Sequence, residues 1–417
     1  WLKHLGSRRS IARPSRTRAA QPPPPMLLQP GAAFVTTGAA AAPLAAPAWR
    51  EAAAPASPER AGGAHGRSQG SLALGSTVAV AALGLARRGA GQRAGARRTA
   101  RGAVVFIDGE AGTTGLQVRD RLEQHPEIEI LSLDPSLRKD EAARKDALRS
   151  ADAAVLCLPD DAAIAAVALL DGADTVVVDA STAHRVSEGW VYGFPELSPS
   201  HSAEIAASKR IANPGCYPTG FISMVRPLVD AGLLPASAPL TVHAVSGYSG
   251  GGKGLIELYE SPGHEPWGAY GFNLDHKHLP EMKVWTGLEQ EPVFCPSVGD
   301  FKQGMVVSVP LRLSQLAEGA TPAAVQEALA KRYEDKRFIS VAPLNPMDAL
   351  ERGAFLRPDS LNDTNNLEIF CFGNEDKGTM WLLARLDNLG KGASGACVQN
   401  LNLALGFDEA TGLEAKP

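Results

Sequence analysis

Residues 103–122, AVVFIDGEAGTTGLQVRDRL, constrain the fold more than any other stretch of the chain. Ala103 to Ile107 form a β-branched and aromatic run of strand length. Glycines follow at 109, 112 and 115, and Leu116, Val118 and Leu122 then recur at helical spacing. Strand, tight turn and helix in this order let a dinucleotide pyrophosphate approach backbone N–H groups at a helix N-terminus, where a Cβ would block it. The spacing is G-x-x-G-x-x-G instead of G-x-G-x-x-G, so taken alone it fits either a cofactor loop or an ordinary βα turn.

The segments that follow favour the first reading. EIEILSLD (127–134), DAAVLCLPD (152–160) and DTVVVDAS (174–181) read as further strands in alternation with helical segments, which implies a parallel, doubly wound sheet. Asp134 closes the second strand where an acid binds an unphosphorylated ribose, whereas Arg138 and Lys139 just after it suit a 2′-phosphate. These residues leave NADH and NADPH both open.

The second informative stretch is ANPGCYPTG, residues 212–220. Cys216 stands just ahead of Phe221, Met224, Val225 and Leu228, an apolar stripe at helical spacing, and so lies at or near a helix start. Unsatisfied N–H groups and the helix dipole there favour thiolate over thiol, which predicts a lowered pKa. A small buried hydrophobe is the ordinary fate of a free cysteine, but Asn213, Pro214, Gly215 and Tyr217 make a polar, stiff turn that points to a nucleophile. Cys157, Cys371, Cys295 and Cys397 carry no such surroundings and read as structural. The five cysteines include no C-x-x-C pair, which argues against a disulfide framework or a zinc site, and no metal is expected.

Three polar stretches complete the candidate site. In DASTAHR, Ser181, Thr182, His184 and Arg185 follow the C-terminal end of a strand, and Arg185 suits a bidentate carboxylate or phosphate contact. VSGYSGGGKG (245–254) is too glycine-rich for a strand or helix interior and reads as an anion cradle beside Lys253, or as a plain hairpin turn. DHKHLPEM places His276 and His278 in a polar turn ahead of Glu281; His243 reads as core or strand.

Residues 1–100 carry fourteen Lys or Arg and two acids, Glu51 and Glu59, so this tail is about +12 and the remainder about −16. Nothing in so acidic a body suggests a nucleic-acid partner, and none is expected. Segment 1–102 is poor in aromatic and β-branched runs, and its basic, acid-poor composition is that of an organelle transit peptide. We expect a plastid, with the mitochondrion second. The apolar run 71–86 is short for a membrane span and reads as a secretory h-region or a second targeting step, so the mature protein, beginning near residue 100, is expected to have no membrane association. The chain opens on Trp1 rather than Met, which we read as a truncated start.

FIDGEAGTTGLQVRDRL, CLPDDAA, DASTAHR, YGFPEL, ANPGCYPTGF, VSGYSGGGKG, HKHLPEM and DNLGKGASGACVQNLNLALG together resemble the short-form N-acetyl-γ-glutamyl-phosphate reductase family, in order and without large gaps over residues 103–410. The resemblance implies an NADP(H)-dependent reduction of a small acyl phosphate to an aldehyde through a cysteine thioester, in arginine biosynthesis. It makes Cys216 the nucleophile and His278 the acid/base, with His276 in reserve. It puts substrate recognition at Ser246, Ser249, Gly250 and Lys253 beside Ser181, Arg185 and His276. Cofactor contacts fall to Gly109, Gly112, Thr113, Thr114, Gly115, Arg138, Lys139, Pro159 and Asn388.

The expected architecture is α/β. A Rossmann-type domain (103–215) is completed by a returning C-terminal helix (388–410). An α+β catalytic and dimerisation domain (216–387) is built on a mostly antiparallel sheet, one face of which pairs subunits into a dimer or tetramer. Two competing readings share these features: an aspartate-semialdehyde dehydrogenase, and a nucleotide-binding regulator without catalysis. The cysteine turn favours the acetylglutamyl enzyme over the first; retention of Cys216 and His278 speaks against the second.

Overall fold

The computed structural model describes residues 102–413; the targeting expectations for residues 1–101, including the apolar run 71–86, lie outside the described residues. The nucleotide half runs β1 (Ala103–Asp108), α1 (Thr113–Leu122), β2 (Ile128–Leu131), α2 (Glu141–Ser150), β3 (Ala153–Leu156), α3 (Asp160–Leu169), β4 (Val176–Asp179), β5 (Val191–Tyr192), α4 (His201–Ala207) and β6 (Arg210–Ala212). Its six strands lie in the order β2-β1-β3-β4-β6-β5 with every pairing parallel. The order reverses at β1, so the loops after β1 and β3 diverge and open a crevice at the carboxyl ends of the strands.

The second half begins with α5 (Cys216–Asp230) and continues through β7 (Thr241–Gly247), α6 (Gly252–Tyr259), β8 (Trp267–Ala269), α7 (Leu279–Thr286), β9 (Val293–Gly299), β10 (Met305–Arg312), α8 (Pro322–Tyr333), β11 (Ile339–Leu344), β12 (Leu367–Asn374) and β13 (Thr379–Leu386). Its seven-stranded sheet has the order β11-β12-β13-β10-β7-β9-β8. Pairs β11–β12 and β7–β9 are parallel and the other four antiparallel, so the expectation of a mostly antiparallel sheet holds. Among the described residues no helix is long and apolar enough to cross a membrane.

Helix α5 is the keystone of this half. Phe221, Met224, Val225 and Leu228 are fully buried with Val307, Ala384 and Leu386 of the sheet, each burial contributing about 1.5–3 kcal/mol. Pro218 falls in the first turn, where no intrahelical N–H bond is lost. Pro227 lies inside the helix and cannot bond the carbonyl of Ser223; that oxygen instead accepts from the Tyr333 hydroxyl at 2.8 Å.

The chain then returns to the nucleotide half. A π-helical turn, Gly390–Ser394, leads into α9 (Gly395–Leu405), whose Cys397, Val398 and Leu401 join Val105, Val118 and Ile211 in one apolar cluster. One expectation is corrected: VSGYSGGGKG is not a cradle outside regular structure but spans the end of β7, a 3₁₀ turn (Tyr248–Gly251) and the start of α6. Of the two readings of His243, strand holds: it lies on β7 with its side chain exposed, and Cys295 on β9 is also exposed.

Candidate active site

Helices α1 and α5, like α6, start at glycine N-caps without any side-chain cap, whereas α2 is capped by Asp140 and α8 by Thr321. The open ends of α1 and α5 face the same region. At the first, Gly109 has φ +90°, and a Cβ there would lie 2.3 Å from the carbonyl oxygen of Cys157. A Cβ on Gly115 would come within 2.4 Å of the Gly109 oxygen, so α1 can pack this closely only on glycine. Gly112 closes the turn by bonding Gly109 O at 3.0 Å. The first turn of α1 contains no acidic residue, which leaves its N–H groups and positive dipole end to an anion.

This loop separates two cavities. One, of about 520 Å³, is lined by Gly109, Glu110, Leu133, Arg138, Lys139 and Leu158. Arg138 pairs with Glu110 at 2.5 Å, and Asp134 turns away to accept from Ser136 N and Oγ. Pro159 is the N-cap residue of α3 and lines neither cavity. The cradle of close glycines beside an apolar and basic cavity fits a nicotinamide dinucleotide.

The other cavity, of about 640 Å³, is lined by Thr113 and Thr114 of the first turn of α1 together with Cys216, His276, His278, Ser246, Ser249, Gly250 and Asn388. Cys216 is the first residue of α5. Burial pushes its thiol up to about 11, against the pull of the Tyr217 amide and the Arg185 charge, and the Glu281 carboxylate adds to the rise. The expected thiolate is thus corrected for the protein without ligands: desolvation outweighs the helix end.

Gly215, just ahead of the cysteine, is where the site converges. A Cβ at Gly215 would lie 2.7 Å from each of Arg185 Nη1, Glu281 Oε1 and His278 Nε2. Glu281, 1% exposed, accepts from Arg185 Nη1 at 2.5 Å, from the Tyr192 hydroxyl at 2.8 Å and from Gly215 N at 3.1 Å. His278 Nε2 lies 4.0 Å from the same carboxylate, and its Nδ1 is buried without a partner. Burial, then the Arg185 charge, holds His278 well below its ordinary value; burial and Lys277 hold His276 at about 4. Both imidazoles are neutral at pH 7, so either accepts a proton more readily than it supplies one.

Several expected contacts fall elsewhere. Arg185 lines the cavity, but three of its five N–H groups are taken by Asn213 O, Ala180 O and Glu281, so it braces the site instead of standing open for a carboxylate. Ser181 donates to Asp179 at 2.7 Å and lies outside the cavity lining, and Thr182 is bound to Asp160. His184 bonds Asp179 and stacks on Trp190. Lys253 is exposed on α6 and lines neither cavity, because the helix turns its side chain outward. Asn388 bridges, donating to Ser249 Oγ and accepting from Gly304 N.

The sequence reading missed four groups. Glu281 and Lys277 sit within HKHLPEM, and the three-residue step from His278 to Glu281 at a helix start was the available signal. Gly392 and Lys391 gave no local signal; a Cβ on Gly392 would lie 2.8 Å from that of Cys216. Among the described residues no group of three His, Cys, Asp or Glu is placed to hold a metal ion.

A parallel dinucleotide-binding sheet, joined to a mixed sheet by a helix that starts at a cysteine in the cofactor crevice, defines the semialdehyde dehydrogenase class. The family model described as semialdehyde dehydrogenase, NAD binding domain, matches residues 104–205, and that described as the dimerisation domain matches 216–388. Aspartate semialdehyde dehydrogenase II of Vibrio cholerae, solved in complex with ASA, shares the fold at TM-score 0.57 and 15% identity, covering 73% of this chain and 98% of that one. The Candida albicans aspartate semialdehyde dehydrogenase solved with NADP gives TM-score 0.51 at 15% identity over 72% of this chain and 98% of that one. The "N-acetyl-gamma-glutamyl-phosphate reductase 2" of Nostoc sp. (strain PCC 7120) is 49% identical over 318 residues, 74% of this chain and 98% of that protein. The reductase of Chelativorans sp. (strain BNC1) is 50% identical over 305 residues, 73% of this chain and 98% of its own length. The chain belongs to the N-acetyl-γ-glutamyl-phosphate reductase family.

Proposed function

We propose that the protein reduces N-acetyl-γ-glutamyl phosphate to N-acetylglutamate 5-semialdehyde and phosphate with NADPH, as a step of arginine biosynthesis. One observation carries this reading: the cavity around Cys216 is also lined by Thr113 and Thr114 of the first turn of α1. A nucleotide held at that helix start would bring its hydride to the carbon that Cys216 attacks.

Neutral His278 takes the proton of Cys216, and the sulfur attacks the acyl carbon. The acyl C–O bond breaks, phosphate leaves with the bonding pair and takes a proton from solvent, and a thioester remains on Cys216. The glycine turn before α1 would hold NADPH, whose hydride would reduce this thioester. Hydride transfer leaves the thiohemiacetal as an alkoxide; as its C=O re-forms the C–S bond breaks, the bonding pair leaves on sulfur, and His278 returns its proton to the cysteine. Desolvation fits the first step, because a thiolate formed in a dry site is a strong nucleophile. Arg185 limits the cost of that charge while Glu281 holds the guanidinium in place.

NADPH is favoured over NADH because Arg138 and Lys139 line the adenosine-side cavity while Asp134 is held by Ser136. The outward face of the seven-stranded sheet, with Val293 and Trp381 about half exposed, supports pairing of subunits into a homo-oligomer. The composition of residues 1–102 supports organelle targeting, to a plastid first.

The assay that tests the reaction runs it in reverse, with N-acetylglutamate semialdehyde, phosphate and NADP⁺ or NAD⁺. Phosphate-dependent NADPH formation is the expected result. Oxidation of aspartate semialdehyde in its place would overturn the reading.

A further inference from the structure

The substrate proposed above carries a carboxylate and a phosphoryl group, so the cavity around Cys216 must offset negative charge. Its cationic side chains are few. Arg185, 8% exposed, is closed by Glu281. His276 and His278 are held neutral by burial. Lys253, the cation expected from the sequence, lies outside. What remains is Lys277, exposed within the cavity lining and, among the described residues, in no hydrogen bond or ion pair.

Its backbone is fixed although its side chain is free. His278 N bonds His276 Nδ1 at 3.1 Å and Leu279 N bonds His276 O at 2.9 Å, a turn that fixes the backbone on both sides of Lys277. Its charge is felt across the crevice. It helps hold both histidines down, and after the Thr182 hydrogen bonds it helps hold the Asp160 carboxyl down against burial. An ammonium on a flexible stem suits an anion that arrives as an acyl phosphate and departs as free phosphate.

We propose that Lys277 is the binding residue that anchors the substrate's anionic charge in the Cys216 cavity, in the role the sequence assigned to Lys253. This rests on the reaction proposed above, and two measurements keep the two apart. The first is steady-state kinetics of Lys277→Met and Lys277→Arg in the reverse direction, with phosphate and semialdehyde varied separately. Loss of one hydrogen bond to a charged group raises KM about 10- to 100-fold. We expect that rise in Lys277→Met with kcat little changed, and its recovery in Lys277→Arg. A raised KM for phosphate assigns the contact to the phosphoryl group; a raised KM for the semialdehyde assigns it to the carboxylate.

The second needs no turnover. Inorganic phosphate or N-acetylglutamate should slow alkylation of Cys216 in the wild type and in Lys277→Arg, but not in Lys277→Met. Equal protection in wild type and Lys277→Met, or unchanged KM values for both substrates, overturns the inference. A wild type that is protected by anions yet inactive in the assay overturns the reaction and leaves the anchor standing.

Discussion

Glu281 accepts the amide proton of Gly215 at 3.1 Å, one residue ahead of Cys216. The same carboxylate holds Arg185 and Tyr192 and stands 4.0 Å from His278, so one buried acid ties the start of α5 to Arg185 and Tyr192.

Removing that acid should therefore uncouple stability from activity in a graded way. Glu281→Ala leaves Arg185 buried without a counter-charge and is expected to cost about 3–5 kcal/mol, read by chemical denaturation. Glu281→Gln keeps an acceptor for Gly215 N, so it should fold with a smaller loss while kcat still falls at least tenfold. A Gln variant with wild-type kcat would show that the carboxylate is structural only.

The pH behaviour follows from the shifts and their signs. With the Cys216 thiol pushed up to about 11, alkylation of the protein without cofactor should keep rising through pH 9 instead of levelling near neutrality. His276 is held at about 4 against an ordinary 6.5, and His278 well below it, so the unfolded chain binds protons that the folded chain refuses. Their contribution to stability is present above pH 6.5 and is lost as pH falls from there toward 4. Melting temperatures across this range should fall less steeply in a His276→Asn variant.

Lys391 offers a test at a distance from the thiol's own hydrogen bonds. It is 0% exposed, bonds Glu196 Oε1 and Gln399 Oε1 at 2.7 Å each, and lies near the rings of Phe194 and Phe338. It belongs to the π-turn whose Gly392 abuts Cys216. Lys391→Met should lose about 3–5 kcal/mol because Glu196 is left as an unpaired buried charge. Adding Glu196→Gln should recover part of it, since the second change removes that charge.

The elements that place the site were legible because their signals are local. The glycines at 109, 112 and 115 after a β-branched run gave β1, the turn and α1, and the stripe from Phe221 to Leu228 gave α5 starting at Cys216. What escaped depends on distant partners. Arg185 and Glu281 are 96 residues apart, and Tyr192 and Glu281 are 89, so nothing local showed that Arg185 was already engaged. The thiol expectation failed for the same reason: a helix N-terminus is visible in the sequence, whereas the desolvation that outweighs it comes from tertiary packing. Lys253 was misplaced because a glycine-rich run was read as irregular, when Gly252–Tyr259 forms a helix that carries the lysine outward.

The central claim is the thioester on Cys216. Protein mixed with N-acetylglutamate semialdehyde and NADP⁺ but no phosphate should give a burst of NADPH equal to the number of active sites. Intact-mass and peptide analysis should then find the N-acetylglutamyl adduct on Cys216, discharged when phosphate is added. Cys216→Ser should show neither burst nor adduct. Sustained turnover in Cys216→Ala, or an adduct on another residue, would contradict the account.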